Sequence, residues 1–183
     1  DSRLVVLNAK DAAKLGAKIY VNTKVISAKK DDGLWCVETK DQTTGKREVF
    51  LSKVLINAGG PWVSDIIHNV LRVNTPEKVR LVRGSHIVVP KIWDHGKCYF
   101  FQGNDGRIIF AIPYETDFTL IGTTDIDHIE VDEKPQCSEL EKNYLINFAN
   151  QYFDTELKVE DIVWTYSGVR PLQDTSEGNA TAV

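Results

Sequence analysis

The sequence predicts an α+β fold: an antiparallel sheet with one helix, preceded by an incomplete α/β lobe. Three observations point there. Residues 79–124 alternate strand-like apolar runs with turn signals, a single capped amphipathic stretch follows at 138–152, and a strand-like run then returns. The first 57 residues hold one helical pattern and a few short strands, too little for a complete doubly wound sheet.

Taken in order, RLVVLNAKDAAKLGAKIY spaces Leu4, Val5, Leu7, Ala12, Leu15 and Ala17 at helical intervals, with Gly16 as a C-terminal stop. Ile19–Val21 and Lys24–Ala28 read as short strands, and Asp32-Gly33 as the turn of a hairpin. A second turn, Asp41 to Lys46 with Gly45, leads to Val54, Leu55 and Ile56, a wholly apolar run of the kind that fills a buried parallel strand. After Gly59-Gly60-Pro61, WVSDIIHNVL reads as a helix with Trp62, Ile66, Ile67 and Leu71 on one side; proline in a first turn forfeits no hydrogen bond. Pro76 interrupts the chain. Beyond it lie VRLVRGSHIVVP, KCYFFQGNDGRIIFAIPYE and FTLIGTT, with a hairpin turn at Asn104-Asp105-Gly106 and with Phe100, Phe101, Ile108, Ile109 and Phe110 assigned to a packed sheet. Ser138 and Glu141 stand at the two positions of a capping box, and VEDIVWTYSGVRPL supplies the final strand. The expected division is residues 1–75, residues 76–172 and a polar tail over 173–183.

A 183-residue chain with 42% hydrophobic and 26% charged residues has globular composition, and a core is feasible at this size. The net charge of −4 gives no general attraction to nucleic acid. Cys36, Cys98 and Cys137 are odd in number, widely spaced and form no CxxC, which argues against a disulfide framework and a zinc site and fits a reducing, cytoplasmic setting. No metal-ligating set is legible. No apolar run approaches the ~20 residues that span a bilayer. Met is absent and the segment DTSEGNATAV is small and polar, so both ends are expected to be cut ends of a longer chain.

Four motifs carry chemistry in different degree. VLINAGGPW ends an apolar run in Ala58-Gly59-Gly60, where the missing side chains let backbone approach a ligand and the following helix start can face an anion; it is equally a tight strand-to-helix turn. RGSHIVVP places Arg83 and His86 around a Gly-Ser pair at the start of a strand. In IGTTD, Thr123, Thr124 and Asp125 suit local backbone bonding in a turn or cap. TYSGVRPL carries Arg170, whose planar fork of donors suits a carboxylate or a phosphate.

In their order and spacing, DSRLVVLNA, NAGGPW, RLVRGSHIVVP, IGTTD and DIVWTYSGVRPL make the chain similar to the FAD-dependent glycerol-3-phosphate dehydrogenases and the related glycerophosphate oxidases, over essentially its whole length. The resemblance implies a flavin-binding α/β lobe interleaved with an antiparallel substrate-binding sheet. It implies oxidation of sn-glycerol 3-phosphate to dihydroxyacetone phosphate, with electrons passed to quinone in the dehydrogenases or to oxygen in the oxidases. By match, Val25 approaches the adenosine part of FAD, and Ala58, Gly59 and Trp62 line the dinucleotide. Arg170 is assigned to the substrate phosphate or hydroxyls, and His86 to substrate contact as the candidate base. The family's amino-terminal GxGxxG turn has no counterpart in this sequence, nor have further basic substrate ligands expected beyond residue 183. The resemblance therefore implies FAD in the parent enzyme, with weak or absent FAD binding and no activity in this chain alone. Its quinone-linked members are peripheral on the cytoplasmic membrane. Two alternatives stand beside this reading: a flavin-dependent oxidase of another substrate, such as an amino acid, and a non-catalytic module that self-associates through exposed apolar surface.

Overall fold

Residues 2–75 and 79–174 are described by the computed structural model; Pro76 and the tail from 175 onward lie outside the described residues. The chain divides into two units, one running to Asn57 and including Asp65–Asn74, the other made of Ala58–Ser64 and the chain from Thr75 onward. The segment 58–64, read above with the first lobe, thus belongs with the second unit.

The first unit begins with helix α1 (Ser2–Lys14), which ends where the sequence places its stop, at Gly16 with φ of +100°. Strands β1 (Thr23–Asp31), β2 (Leu34–Asp41) and β3 (Arg47–Ser52) form an antiparallel meander in that order. Asp32 and Gly33, both at positive φ, make the β1–β2 turn. Ala28, Val37 and Val70 form a small apolar core, with Val25, Trp35, Phe50, Leu55, Ile66 and Leu71 packed around it.

Three sequence expectations fail over residues 19–71. Ile19–Val21 is not a strand, because Asn22 at φ of +52° turns the chain before β1 begins at Thr23. Val54–Ile56 is not a strand either: it finds no pairing partner among the described residues, and Val54 and Ile56 stay 69% and 80% exposed. The helix expected over 62–71 is broken into a 3-10 turn (Gly60–Trp62), one α turn, α2 (Val63–Asp65), and a π turn (Ile66–Val70). The π turn has a packing consequence. The amide of Leu71 donates to the Ile66 carbonyl at 2.9 Å, which brings two apolar residues five apart onto the same small core.

The second unit is one antiparallel sheet of β4 (Val79–Pro90), β5 (Tyr99–Gln102), β6 (Ile108–Tyr114), β7 (Phe118–Gly122), β8 (Ile126–Asp127) and β9 (Trp164–Gln173). The order runs β5-β6-β7-β4-β8, and β9 pairs along nearly the whole of β4. Helix α3 (Glu139–Ala149) carries the capping box that Ser138 and Glu141 predict. It packs on one face, where Ile87 and Val89 of β4, Ile109 of β6, Ile121 of β7 and Leu145 of α3 are almost wholly buried. Each such side chain contributes roughly 1.5–3 kcal/mol by leaving water.

Side chains alternate along a strand, so the aromatic run assigned to a packed sheet is split between its faces. Phe101 and Ile109 meet the α3 core. Phe100 and Phe110 turn the other way, 60% and 41% exposed, with their rings 5.3 Å apart. No helix among the described residues is long and apolar enough to cross a membrane, and the described residues hold no group of three or more His, Cys, Asp or Glu placed to bind a metal. The three cysteines are free.

Candidate active site

β4 carries the site because its alternate residues serve two different faces. Arg83, Ser85, Ile87 and Val89 face α3, while Gly84 and His86 belong to the face that α3 leaves open. The Gly-Ser pair read as the start of a strand is in fact mid-strand, since β4 begins at Val79. Register then assembles the open face: His86 lies opposite Gly122 of β7 and Tyr166 of β9, Gly84 opposite Gly168, and Val82 opposite Arg170.

The imidazole of His86 is held in a slot. Its ring stacks on Tyr166 with centroids 4.8 Å apart and planes 5° from parallel. On the other side stands Gly122, where an added Cβ would lie 2.7 Å from His86 Cγ and 2.9 Å from Nε2. Any larger residue there displaces the ring. Nδ1 is buried and has no partner among the described residues. Burial, and after it the positive charge of Arg170, hold the imidazole below its ordinary pKa, so it is neutral at pH 7. Burial, with Tyr114 nearby, pushes the Tyr166 phenol up, so that group keeps its proton.

Arg170 reaches across β4 at the one place where β4 has no side chain. An added Cβ on Gly84 would lie 2.5 Å from Thr123 Oγ1 and 2.7 Å from Arg170 Nη2. Nη2 donates to the Thr124 carbonyl at 3.2 Å and to Asp125 Oδ1 in an ion pair. Both bonds use the same nitrogen, and the side chain remains 45% exposed, so the rest of its fork is open to a ligand.

Beneath this face lies a polar cluster that the motifs do not announce. Glu141 is 2% exposed. Its Oε1 accepts from Ser85 Oγ and Thr124 Oγ1, both at 2.7 Å, and its Oε2 accepts from Arg83 Nη2 at 2.9 Å and from the Ser138 amide and hydroxyl at 2.8 Å each. Thr124 Oγ1 in turn accepts from the Ser85 amide at 2.9 Å, and Ser85 Oγ lies 2.7 Å from Ser167 Oγ on β9. The IGTTD segment was expected to bond locally. Thr123 does so, to the Thr124 carbonyl at 3.1 Å, but Thr124 bonds residues 39 and 17 positions away. The signal in the sequence was Glu141 at its capping position; its burial depends on contacts no local pattern encodes.

The residues matched to FAD fall in both units. Val25 is on β1, an outer strand of the meander, with its side chain on the small apolar core and a register irregularity before Ser27. It therefore has edge backbone rather than a side chain to offer. In the second unit Ala58 is exposed, and the Gly60–Trp62 turn packs against β9, the strand of Tyr166 and Arg170. Gly60 has φ of +55° with open space where a Cβ would stand, and Trp62 Nε1 donates to Asp132 Oδ1 at 3.0 Å. Within the second unit, the Gly60 turn is bare backbone that a ligand can approach closely. The sequence has no glycine-rich turn to cradle the pyrophosphate.

A family profile described as FAD dependent oxidoreductase matches residues 1–180. The chain belongs to this family. Members of the FAD-dependent oxidoreductase family similar to it include the D-erythritol 1-phosphate dehydrogenase of Brucella abortus (strain 2308), 47% identical over 183 residues, which are 100% of this chain and 36% of that protein. The aerobic glycerol-3-phosphate dehydrogenase of Escherichia coli (strain K12) is 40% identical over the same 100% and 36%. The crystal structure of the glycerol-3-phosphate dehydrogenase from Bacillus halodurans complexed with FAD superposes with a TM-score of 0.78 at 29% identity, over 94% of this chain and 38% of that one. The chain thus spans 36% of the length of the first two relatives.

Proposed function

We propose that this chain supplies the substrate-facing sheet and part of the FAD-binding lobe of a flavoprotein that oxidises the secondary alcohol of a polyol phosphate, glycerol 3-phosphate to dihydroxyacetone phosphate. The observation that carries the proposal is the pairing, on one open sheet face, of a half-exposed arginine fork with a histidine held neutral. A phosphate monoester is close to a dianion at neutral pH, and Arg170 offers it directed, charged donors while Asp125 keeps the guanidinium in place. Fixing the phosphate orients the carbon skeleton, a positioning contribution to rate. Neutral His86 then takes the hydroxyl proton at an imidazole nitrogen, and Tyr166 and Gly122 keep the ring from turning away. FAD, when bound, would supply the acceptor for the hydride of the carbinol carbon. In the second unit, Ala58, Gly59 and Trp62 are the residues that would hold part of it; Val25, in the first unit, is assigned by the resemblance alone.

A second substrate is favoured by one specific finding: the relative at 47% identity is named for D-erythritol 1-phosphate, which has the same phosphate and one more hydroxylated carbon. Quinone is the acceptor that the dehydrogenase resemblance supports. Anaerobic mixing of the intact, FAD-loaded protein with glycerol 3-phosphate and, separately, D-erythritol 1-phosphate tests the reading. Bleaching of the flavin bands by at least one is the expected result, and the ratio of the two kcat/KM values assigns the substrate. No bleaching by either refutes it.

A further inference from the structure

We propose that Glu141 is a positioning residue of the phosphate site: it fixes the Thr123–Asp125 turn and, through that turn, the guanidinium of Arg170. The inference rests on the reading of Arg170 given above.

Capping a helix needs one carboxylate oxygen on the N-cap amide, and an exposed glutamate can provide it. Here the cap uses Oε2 alone. The carboxylate is nonetheless withdrawn from water, which is costly for an ion unless its lone pairs are filled. Arg83 neutralises it, and Oε1 is left for the hydroxyls of Ser85 and Thr124. Burial by itself would raise its pKa, but the hydrogen bonds from Ser138, Ser85 and Thr124 outweigh burial and hold the carboxyl below its ordinary range.

The consequence of Oε1 lies on the opposite face of the sheet. Thr124 Oγ1 is gripped from two sides, donating to Glu141 and accepting from the Ser85 amide. A threonine held this way has a fixed backbone, and its carbonyl is one of the two groups that hold Arg170 Nη2; the other is the carboxylate of the next residue, Asp125. Two hydrogen bonds therefore link a buried carboxylate on the α3 side to the guanidinium on the open side. The turn after β7 makes both of these bonds, through the Thr124 hydroxyl on one side and the Thr124 carbonyl on the other. Without the grip, Thr124 and Asp125 can shift along β4, and an arginine that is half exposed follows them.

A purely structural Glu141 would lower stability and leave binding by the folded fraction unchanged, so coupling to Arg170 is the decisive readout. In the intact, FAD-loaded protein, Thr124→Val removes the grip while keeping shape and leaving the helix cap intact. Glu141→Gln is the second variant, with Glu141→Ala added if it folds. With glycerol 3-phosphate (or D-erythritol 1-phosphate, if that is the substrate), T124V is expected to raise KM about five- to ten-fold with kcat changed less than about three-fold and flavin content unchanged. In an Arg170→Ala background the same substitution should change KM less than about two-fold. E141Q should show the same non-additivity at smaller amplitude, because its amide can still meet one side of the cluster. An unchanged KM in T124V, or an equal rise in both backgrounds, overturns the role of Glu141 and leaves Arg170 as a ligand. If R170A alone leaves KM unchanged, the reading of the phosphate site falls, and this inference falls with it.

Discussion

Gly84 and Gly168 face each other across β4 and β9, yet the structure assigns them opposite sensitivities to one added methyl group. At Gly84 the methyl carbon would stand 2.5 Å from Thr123 Oγ1, 2.7 Å from Arg170 Nη2 and 3.1 Å from the Thr124 carbonyl. At Gly168 it would meet nothing within 4 Å. Neither residue has a positive φ, so backbone strain is not at issue. Of the three neighbours of Gly84, the guanidinium is the far end of a flexible side chain, whereas the Thr124 carbonyl is backbone and Thr123 Oγ1 is tied to it. Arg170 should therefore yield first. Overpacking costs about 1–3 kcal/mol in general. The low end applies here because the lost Arg170–Asp125 pair is itself exposed, and exposed pairs are worth about 1 kcal/mol or less. Gly84→Ala should thus cost only about 1 kcal/mol, which would be about 2–4 °C in Tm for a chain of 183 residues and less in the larger intact protein. A misplaced charge-assisted bond to substrate, worth roughly 1.5–3 kcal/mol, should raise KM for the phosphate ester about ten-fold or more. Gly168→Ala should leave KM alone and change stability by less than about 1 kcal/mol, in the stabilising direction if at all. Thermal unfolding and steady-state kinetics on the intact protein decide it. A G84A variant with normal KM, or a G168A variant as damaged as G84A, would refute the placement of Arg170 over Gly84.

Replacing Arg170 by Ala should lower kcat/KM on the phosphorylated substrate about ten- to a hundred-fold with flavin content retained; Lys should recover part of the loss, since it keeps the charge without the fork. Near-normal kinetics in a folded, flavin-loaded R170A removes Arg170 from the site. The pH–kcat/KM profile should fall on the acid side as His86 protonates, at a pH below the ordinary histidine value of about 6.5, because burial and Arg170 both disfavour the imidazolium. Taking away the cation in R170A should move that limb to higher pH, and a limb that stays put or moves down contradicts the assignment. The isolated 183-residue chain is expected to bind FAD weakly or not at all, for want of a GxGxxG turn; stoichiometric yellow protein or tight binding by calorimetry would show otherwise.

The extent to which the sequence was legible differs sharply between the two units. Turns and caps came through where chemistry is local: Gly16 at the end of α1, Asp32-Gly33, the 104–106 hairpin turn and the Ser138–Glu141 capping box are set by backbone preferences within a few residues. Apolar runs were less reliable. Val54–Ile56 looks like a buried strand by composition, but a strand needs a partner to hydrogen-bond, and none is supplied by the described residues. The aromatic run at 100–110 does supply the packed sheet, but composition does not say which face each residue takes, and alternation sends Phe100 and Phe110 away from α3.

By itself the sequence determined the α+β class, most strands of the second unit and their helix, the resemblance that names FAD, and Arg170 and His86 as the residues to watch. Those are properties of composition, local turn chemistry and motif spacing. Only the tertiary structure decided that His86 and Arg170 share a face, that Gly84 and Gly122 are bare because a guanidinium and an imidazole occupy the space over them, and that Glu141 is a buried hub rather than a helix cap alone. The reason is register. Residues 84, 122, 141 and 170 become neighbours only once β4 pairs with β7 on one side and β9 on the other and α3 closes over the sheet.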